Sequence, residues 1–394
     1  MSIPAALRAS RTKRSVTAGL ALCALAASHA HAANLTLQAT GTETGSWASN
    51  PLMAISGARP LWGSTTSPSL ILQDTAPDMQ LGFNGRIDEN IFNQAAFDST
   101  DVHAHASLAK KSERWGLNLG GGTDYDTTRT SELSNFGLPA TVVTRHLGLS
   151  LAPQVSYAPN ARDSLRISGS AYSSQYESNQ FVNYDLYTLT PSFSRRLDPL
   201  NSAVVSLEAQ RYTTTRNTHA RVDSLGPSIG WQGSLSPRFS ANAAIGAQTS
   251  RQYTDDVAVG PWQWSAIFDA GLNYKDEQDS VSLTARRDQS PYGNGTDGLQ
   301  TNFALTETHA LNPLVSLNVG AQYLTAGYQA STLYSIESRS GGNAGVTWHA
   351  TETLDVTAGY QYSYEALTGT SQTVQDHTVT LGLALHPGTW TLLQ

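Results

Sequence analysis

Asp223-Ser224-Leu225-Gly226-Pro227-Ser228-Ile229-Gly230-Trp231-Gln232 leads, through a short break at Leu235-Ser236-Pro237-Arg238, into Phe239-Ser240-Ala241-Asn242-Ala243-Ala244-Ile245-Gly246-Ala247-Gln248. In the first run Leu225, Pro227, Ile229 and Trp231 alternate with small or polar residues. In the second, Phe239, Ala241, Ala243, Ile245 and Ala247 do the same. A period of two puts one set on each face of a strand. Two such runs joined by so short a turn predict an antiparallel hairpin. Each run is about 10 residues, the length of a tilted strand crossing a bilayer. This is the pattern of a membrane hairpin.

The alternation recurs along the chain. Outward-facing sets are expected at Leu81/Phe83/Ile87, Val102/Ala104/Ala106/Leu108, Trp115/Leu117/Leu119 and Leu147/Leu149/Leu151. More stand at Leu165/Ile167/Ala171, Tyr187/Leu189/Phe193, Ala203/Val205/Leu207/Ala209 and Trp262/Trp264/Phe268/Leu272. The last are Val281/Leu283/Ala285, Phe303/Leu305, Val315/Leu317/Val319, Ala344/Val346/Trp348, Leu354/Val356/Ala358 and Val379/Leu381/Leu383/Leu385. Weaker candidates at Leu35–Thr44 and Thr66–Leu72 precede them. The expected fold is all-β: a closed antiparallel transmembrane β-barrel of about 18 strands, with about 16 as the alternative, since such barrels have even strand numbers.

The connections alternate between two classes. Short ones include Lys110–Glu113, Pro159–Arg162, Leu235–Arg238 and Lys275–Asp279. Long polar ones are expected at Asp126–Val143, Tyr253–Gly260, Gln289–Leu299, Ala326–Ser338 and Ala366–Gln375. Short periplasmic turns against long external loops are the asymmetry of an outer-membrane barrel, and they place both chain ends in the periplasm. Aromatic residues beside the short turns (Trp115, Tyr157, Phe193, Trp231, Phe239, Tyr274, Trp348) should form the periplasmic girdle, with Tyr253, Tyr323 and Tyr362 toward the outer one. Pro153, Pro191 and Pro227 recur at roughly 37-residue spacing, and Pro68 repeats the phrase. Proline removes a ladder hydrogen bond, so bulges or non-bonded positions are expected there.

The N-terminus reads as a secretory signal over residues 1–32. Arg8, Arg11, Lys13 and Arg14 precede an apolar run from Val16 to Ala27, and Ala30-His31-Ala32 offers a small-x-small cleavage site. A single barrel domain is expected over 33–394. Cys23, the one cysteine, would leave with the leader, so no disulfide staples the mature chain. Charged residues make up 14% of the sequence, against roughly 25% in an average soluble domain. Low charge without a long apolar run suits a barrel with one face in lipid and one in water. Loss of the four basic leader residues takes the net charge from −7 to −11, which argues against a nucleic-acid partner.

The turns at Leu197-Asp198-Pro199, Leu235-Ser236-Pro237 and Leu311-Asn312-Pro313, with the phrases at Pro191 and Pro227, resemble those of the outer-membrane β-barrel porins often encoded in exopolysaccharide loci. The resemblance spans nearly all of the mature chain and implies a porin-like barrel in the outer membrane of a Gram-negative bacterium. Its implied partners are outer-membrane lipid and lipopolysaccharide, the barrel assembly machinery and separate periplasmic polysaccharide-export proteins. One departure concerns the end. Such barrels finish on an aromatic residue, whereas the last good strand here is expected to stop near His386, with Pro387 to Gln394 beyond it. Either Trp390 takes that role or the chain end lies elsewhere.

Few residues suggest chemistry. His103 and His105 share an inward face about 7 Å apart; two imidazoles could begin a metal site, but polar lumen residues explain them as well. Gly120-Gly121-Gly122 before Asp124-Tyr125-Asp126 loosely resembles a calcium loop. Ser340 with His377 carries no hydrolase signature, and Asp269 with Asp355 cannot be set face to face from sequence. No enzyme, cofactor or metal is expected. Alternation instead places Arg86, Asp88, His103, His105, His146, Arg166, Glu208, Tyr212, Asp269, Arg286, Asp288 and Asp355 inside, as a mixed-sign pore lining. Such a wall suits neutral or weakly acidic hydrated solutes, sugars among them, passing by diffusion or export. A structural or surface-interaction barrel needs the same polar filling and stays open beside it, with an outer-membrane lipid-modifying enzyme as a third reading.

Overall fold

The computed structural model describes residues 34–131, 143–214, 220–291, 297–327, 336–367 and 372–393. The expected leader and the middles of several long loops lie outside them. The strands begin with β1 (Asn34–Ala48), β2 (Leu61–Thr75), β3 (Met79–Phe92), β4 (Ser99–Lys111), β5 (Trp115–Thr127), β6 (Arg145–Tyr157) and β7 (Asp163–Tyr176). Next come β8 (Tyr184–Arg196), β9 (Asn201–Thr214), β10 (Ala220–Ser234), β11 (Phe239–Thr254), β12 (Val257–Lys275) and β13 (Asp279–Pro291). The series ends with β14 (Asp297–Asn312), β15 (Val315–Gly327), β16 (Ile336–Thr351), β17 (Leu354–Leu367), β18 (Thr373–Leu385) and β19 (Thr389–Leu393). From β1 to β18 each pairs antiparallel with the next, and β1 closes the ring against β18 and β19 together.

β18 and β19 are one stave. Gly41 of β1 faces Leu385 and Gln38 faces Thr389, so two residues of β1 oppose His386-Pro387-Gly388. This is a one-residue bulge. Pro387 has no donor to give, and Gly388 takes φ +100, which a side chain would resist. The barrel therefore has 18 staves, and the expectation of a final strand ending near His386 is corrected. The sequence continues as wall to Leu393, with Trp390 paired to Leu37.

A second correction falls at Tyr253–Gly260, expected as a long loop. β11 and β12 pair up to Thr254↔Val257, leaving Asp255-Asp256 as a two-residue turn. Both aspartates have positive φ, 49 and 62, as a type I′ hairpin turn requires. The prolines resolve the choice between bulge and gap. At Pro68, Pro153, Pro191 and Pro227 the ladder to the preceding strand is continuous. The ladder to the following strand skips two residues without changing register. The missing N–H points to the next strand each time, so these are gaps.

Register sorts the faces. The row Phe193–Val205–Ile229–Ile245–Phe268 runs across five strands. Ile245 is 67% exposed and Leu381 64%, with Leu, Val and Ile like them around the ring. Leaving such side chains in water forgoes about 1.5–3 kcal/mol apiece, so this exterior is stable in lipid. The other face is concave, since Glu208 on β9 lies in electrostatic reach of Arg286 and Asp288, four strands away on β13. Aromatic pairs mark the short-turn rim: Trp115 with Tyr157 at 4.4 Å and Phe239 with Tyr274 at 4.7 Å. The opposite rim carries a pair not foreseen, Trp47 facing Trp62 across β1 and β2.

The short turns share one device: a small polar side chain accepts the next backbone amides. Asp198 takes the Leu200 and Asn201 N–H, Ser236 those of Arg238 and Phe239, and Asn312 that of Leu314. In the β12–β13 turn, Asp276 accepts from the Tyr274 hydroxyl and from the N–H of Asp279 and Gln278, which together hold its carboxyl at about 2. A folded-state pKa below the unfolded value of about 3.9 gives stability that is present above that value and lost as pH falls through about 2. The stability gap between wild type and Asp276→Asn should therefore be constant above pH ~4 and shrink below it. Acid titration of both proteins in denaturant checks this; a gap that stays constant down to pH ~2 refutes it.

Candidate functional site

Among the described residues, the fully buried side chains gather at the long-loop end. Tyr176, Phe181, Tyr184 and Tyr212 form an aromatic cluster inside the mouth, flanked by Tyr172, Leu186 and Val222. Tyr184 meets Tyr212 at 5.3 Å, and Tyr176 meets Phe181 at 5.0 Å. Even-numbered positions on β7, β8, β9 and β10 point inward, so alternation itself aims these rings at one another. Around the rest of the mouth, Arg145 bridges to Asp101 at 2.8 Å, Arg339 faces Glu365 at 3.6 Å, and Asp376 accepts from Ser49 and the Asn50 amide. The inward face at this end is thus filled with packed and paired side chains.

Below the mouth, polar residues of the inward register form several clusters. Arg86, Asp88, His103, Asp124 and His105 form a chain. Arg86 meets Asp88 at 3.0 Å, His103 meets Asp88 at 3.3 Å and Asp124 at 2.7 Å, and His105 meets Asp124 at 3.0 Å. Both imidazoles thus turn to one carboxylate. Asp124 and Asp126 lie within β5 and pair with histidines, so they sit in the wall, and the external loop expected from Asp126 starts later. Arg286 pairs with Asp288 at 2.7 Å, and Asp269 accepts from Asn242 at 2.7 Å. Arg166 stands exposed between Ser156 and Ser192. Asp355 sits at the short-turn rim between His349 (2.7 Å) and His386 (3.2 Å). Asp269 and Asp355 belong to separate clusters, and Ser340 and His377 are not in contact. A polar depression of about 550 Å³ opens near the short turns between Arg196, Gln232, Asn242 and Asn273.

One constellation is only partly signalled in the sequence. Buried His146 donates or accepts at both nitrogens, 3.0 Å from Asp126 and 3.0 Å from the Ser174 hydroxyl. That is the connectivity of a hydrolase triad. Ser174 is 0% exposed, however, and the polar depression described above opens at the other end of the barrel. A nucleophile no substrate reaches does no chemistry, so the trio reads as a polar clasp closing β5, β6 and β7 at the mouth. Of the three, alternation singled out His146 alone, because Ser174 and Asp126 look like any strand-end polar residues.

No protein-family model matches the chain, and no curated protein does. Solved structures similar to it are outer-membrane barrels. OccK11 (OpdR) of Pseudomonas aeruginosa is 10% identical over 90% of this chain and 96% of its own, with TM-score 0.46. The outer membrane channel DcaP of Acinetobacter baumannii is 12% identical, covering 90% and 97%, with TM-score 0.45. The unliganded ferric citrate transporter FecA is 7% identical, covering 92% and 79%, with TM-score 0.48.

Proposed function

We propose that this protein is an outer-membrane channel: a polar-lined conduit for small hydrated solutes, saccharides among them, entering past a packed external mouth. The carrying observation is the contrast of faces, apolar outward and charged or amide-bearing inward on the same strands. In this reading the short turns face the periplasm, lipopolysaccharide surrounds the long-loop rim, and the assembly machinery inserts the barrel. For polymer export, the partners in this reading are separate periplasmic export proteins. The aromatic packing at the mouth favours a second reading, a surface-interaction barrel that does not conduct.

The twelve lining candidates include five carboxylates (Asp88, Glu208, Asp269, Asp288 and Asp355) against the three guanidiniums of Arg86, Arg166 and Arg286, so a weak cation preference is expected. Asp269→Asn should lower that preference and Arg286→Gln should raise it, with folding nearly intact because lumen water solvates either form. Reversal potentials in planar bilayers under a salt gradient read both. Unchanged selectivity in both variants, with conductance kept, removes these residues from the path. A wild type with no conductance hands the case to the second reading.

A further inference from the structure

The wall is not sealed evenly. β12 and β13 pair from Lys275↔Ser280 to Phe268↔Arg287 and no further. Beyond that row β13 goes on pairing with β14 up to Pro291↔Asp297, and β12 goes on pairing with β11 up to Val257↔Thr254. The two strands therefore part while each stays attached to its other neighbour, leaving a notch in the ring. Its lips are Trp264 to Ile267 on one side and Asp288 to Pro291 on the other. The sequence supplies the cause. Continued register would set Trp264 against Pro291, which has no N–H to give, and β12 bulges just above, at Gly260-Pro261-Trp262.

Two free strand edges within an apolar wall are costly unless they line a polar or occupied space. The notch lies at the long-loop margin of the apolar band, where outward Leu283 and Ala285 give way to Arg287. Arg287 faces the lipid side, in the row of Phe268 and Thr301. Its Nε is covered yet finds no acceptor, while its Nη1 donates to the Thr301 hydroxyl at 3.5 Å. No carboxylate pairs with it among the described residues. Trp264, 70% exposed, stands on the same outward face just above. Inside, Asp269, Arg286 and Asp288 meet the notch from the lumen.

We propose that this notch is a side portal that takes an anionic single-chain amphiphile from the outer leaflet, its head on Arg287 and its chain against Trp264 and Phe268. An anion there satisfies the orphaned guanidinium nitrogen, and an acyl chain covers the exposed ring. The unpaired edges, held open by Pro261 and Pro291, let the head group pass toward the polar wall without first crossing the packed mouth. The portal goes beyond the hydrated-solute conduit and rests on the barrel being in a membrane.

The probe is cis-parinaric acid, whose absorption overlaps tryptophan emission, with parinaryl alcohol as the neutral control, added to the full barrel in liposomes. The expected result is saturable energy transfer that Trp264→Phe largely removes. Arg287→Gln should weaken acid binding about tenfold and leave the alcohol unaffected, as loss of one charged hydrogen-bond partner predicts, while Arg287→Lys keeps most of it. Ala266→Cys with Gln289→Cys, oxidised, should zip the lips and block uptake, with reduction restoring it. Heat-modifiable gel migration verifies folding of each variant. Transfer that never saturates in the wild type, or binding in the oxidised pair equal to wild type, overturns the portal. Bilayer conductance on the same preparation separates the readings: conductance without binding sinks the portal alone, and binding without conductance sinks the conduit alone.

Discussion

Leu283→Arg is expected to cost the barrel about 2–4 kcal/mol, because a guanidinium on the lipid face near the midplane cannot be solvated there. Leu283 sits between Leu272 of β12 and Leu305 of β14, half exposed toward lipid. Arg286, three residues along the same strand, points the opposite way and pairs with Asp288. Arg286→Gln gives up a solvated ion pair and should cost well under 1 kcal/mol. Equilibrium denaturant titration of folding into lipid vesicles reads both. The pair of results is diagnostic of register, since a one-residue slip exchanges every inward and outward side chain. A barrel that tolerates Leu283→Arg but is lost with Arg286→Gln would invert the assignment of both faces.

That contrast could be drawn from sequence because a period of two is written wherever one face meets lipid and the other water. Leu225 to Trp231 and Phe239 to Ala247 show it without tertiary information. The signal fades where a strand's outward face carries glycine, threonine or glutamate. β1 shows this: Gly41, Glu43 and Gly45 face outward among apolar neighbours, and Thr66 hydrogen-bonds Glu43. Its full extent, and Trp47 opposite Trp62, therefore leave no alternation signal. Pro387-Gly388 reads as a strand end because locally it is one. What carries the stave past it is pairing with β1, more than three hundred residues earlier, which no local pattern records. Asp255-Asp256 fails for a different reason: its polar surroundings look like loop, and only the partner strand shows that two residues suffice. The mouth was the least legible part. Tyr184 and Tyr212 sit on the inward register like any lumen residue, and their burial follows from strands whose ends converge on Phe181 of a loop.

Removing that convergence gives the second large effect. Tyr212 is 0% exposed, packed at a tilt against Tyr184 and backed by Val222. Truncation of a well-buried aromatic costs about 3–5 kcal/mol in a closed core. Here the lower figure is expected, because water from the lumen can enter the space left behind. Tyr212→Ala should therefore lose about 3 kcal/mol in the vesicle titration and still insert, since β9 keeps its ladders to β8 and β10. In the channel reading the same change widens the narrowest part of the path, so single-channel conductance should rise. Phe181→Ala, made in the loop against Tyr176, should raise conductance further, at a stability cost like that of Tyr212→Ala because Phe181 is buried in the same cluster. The two measurements test different claims. A stability loss with unchanged conductance in the double variant would make the cluster packing alone and move the ion path elsewhere in the lumen. Conductance that appears first in the double variant would mean the wild-type mouth is shut, and that the solute, or a partner at the long-loop rim, must open it.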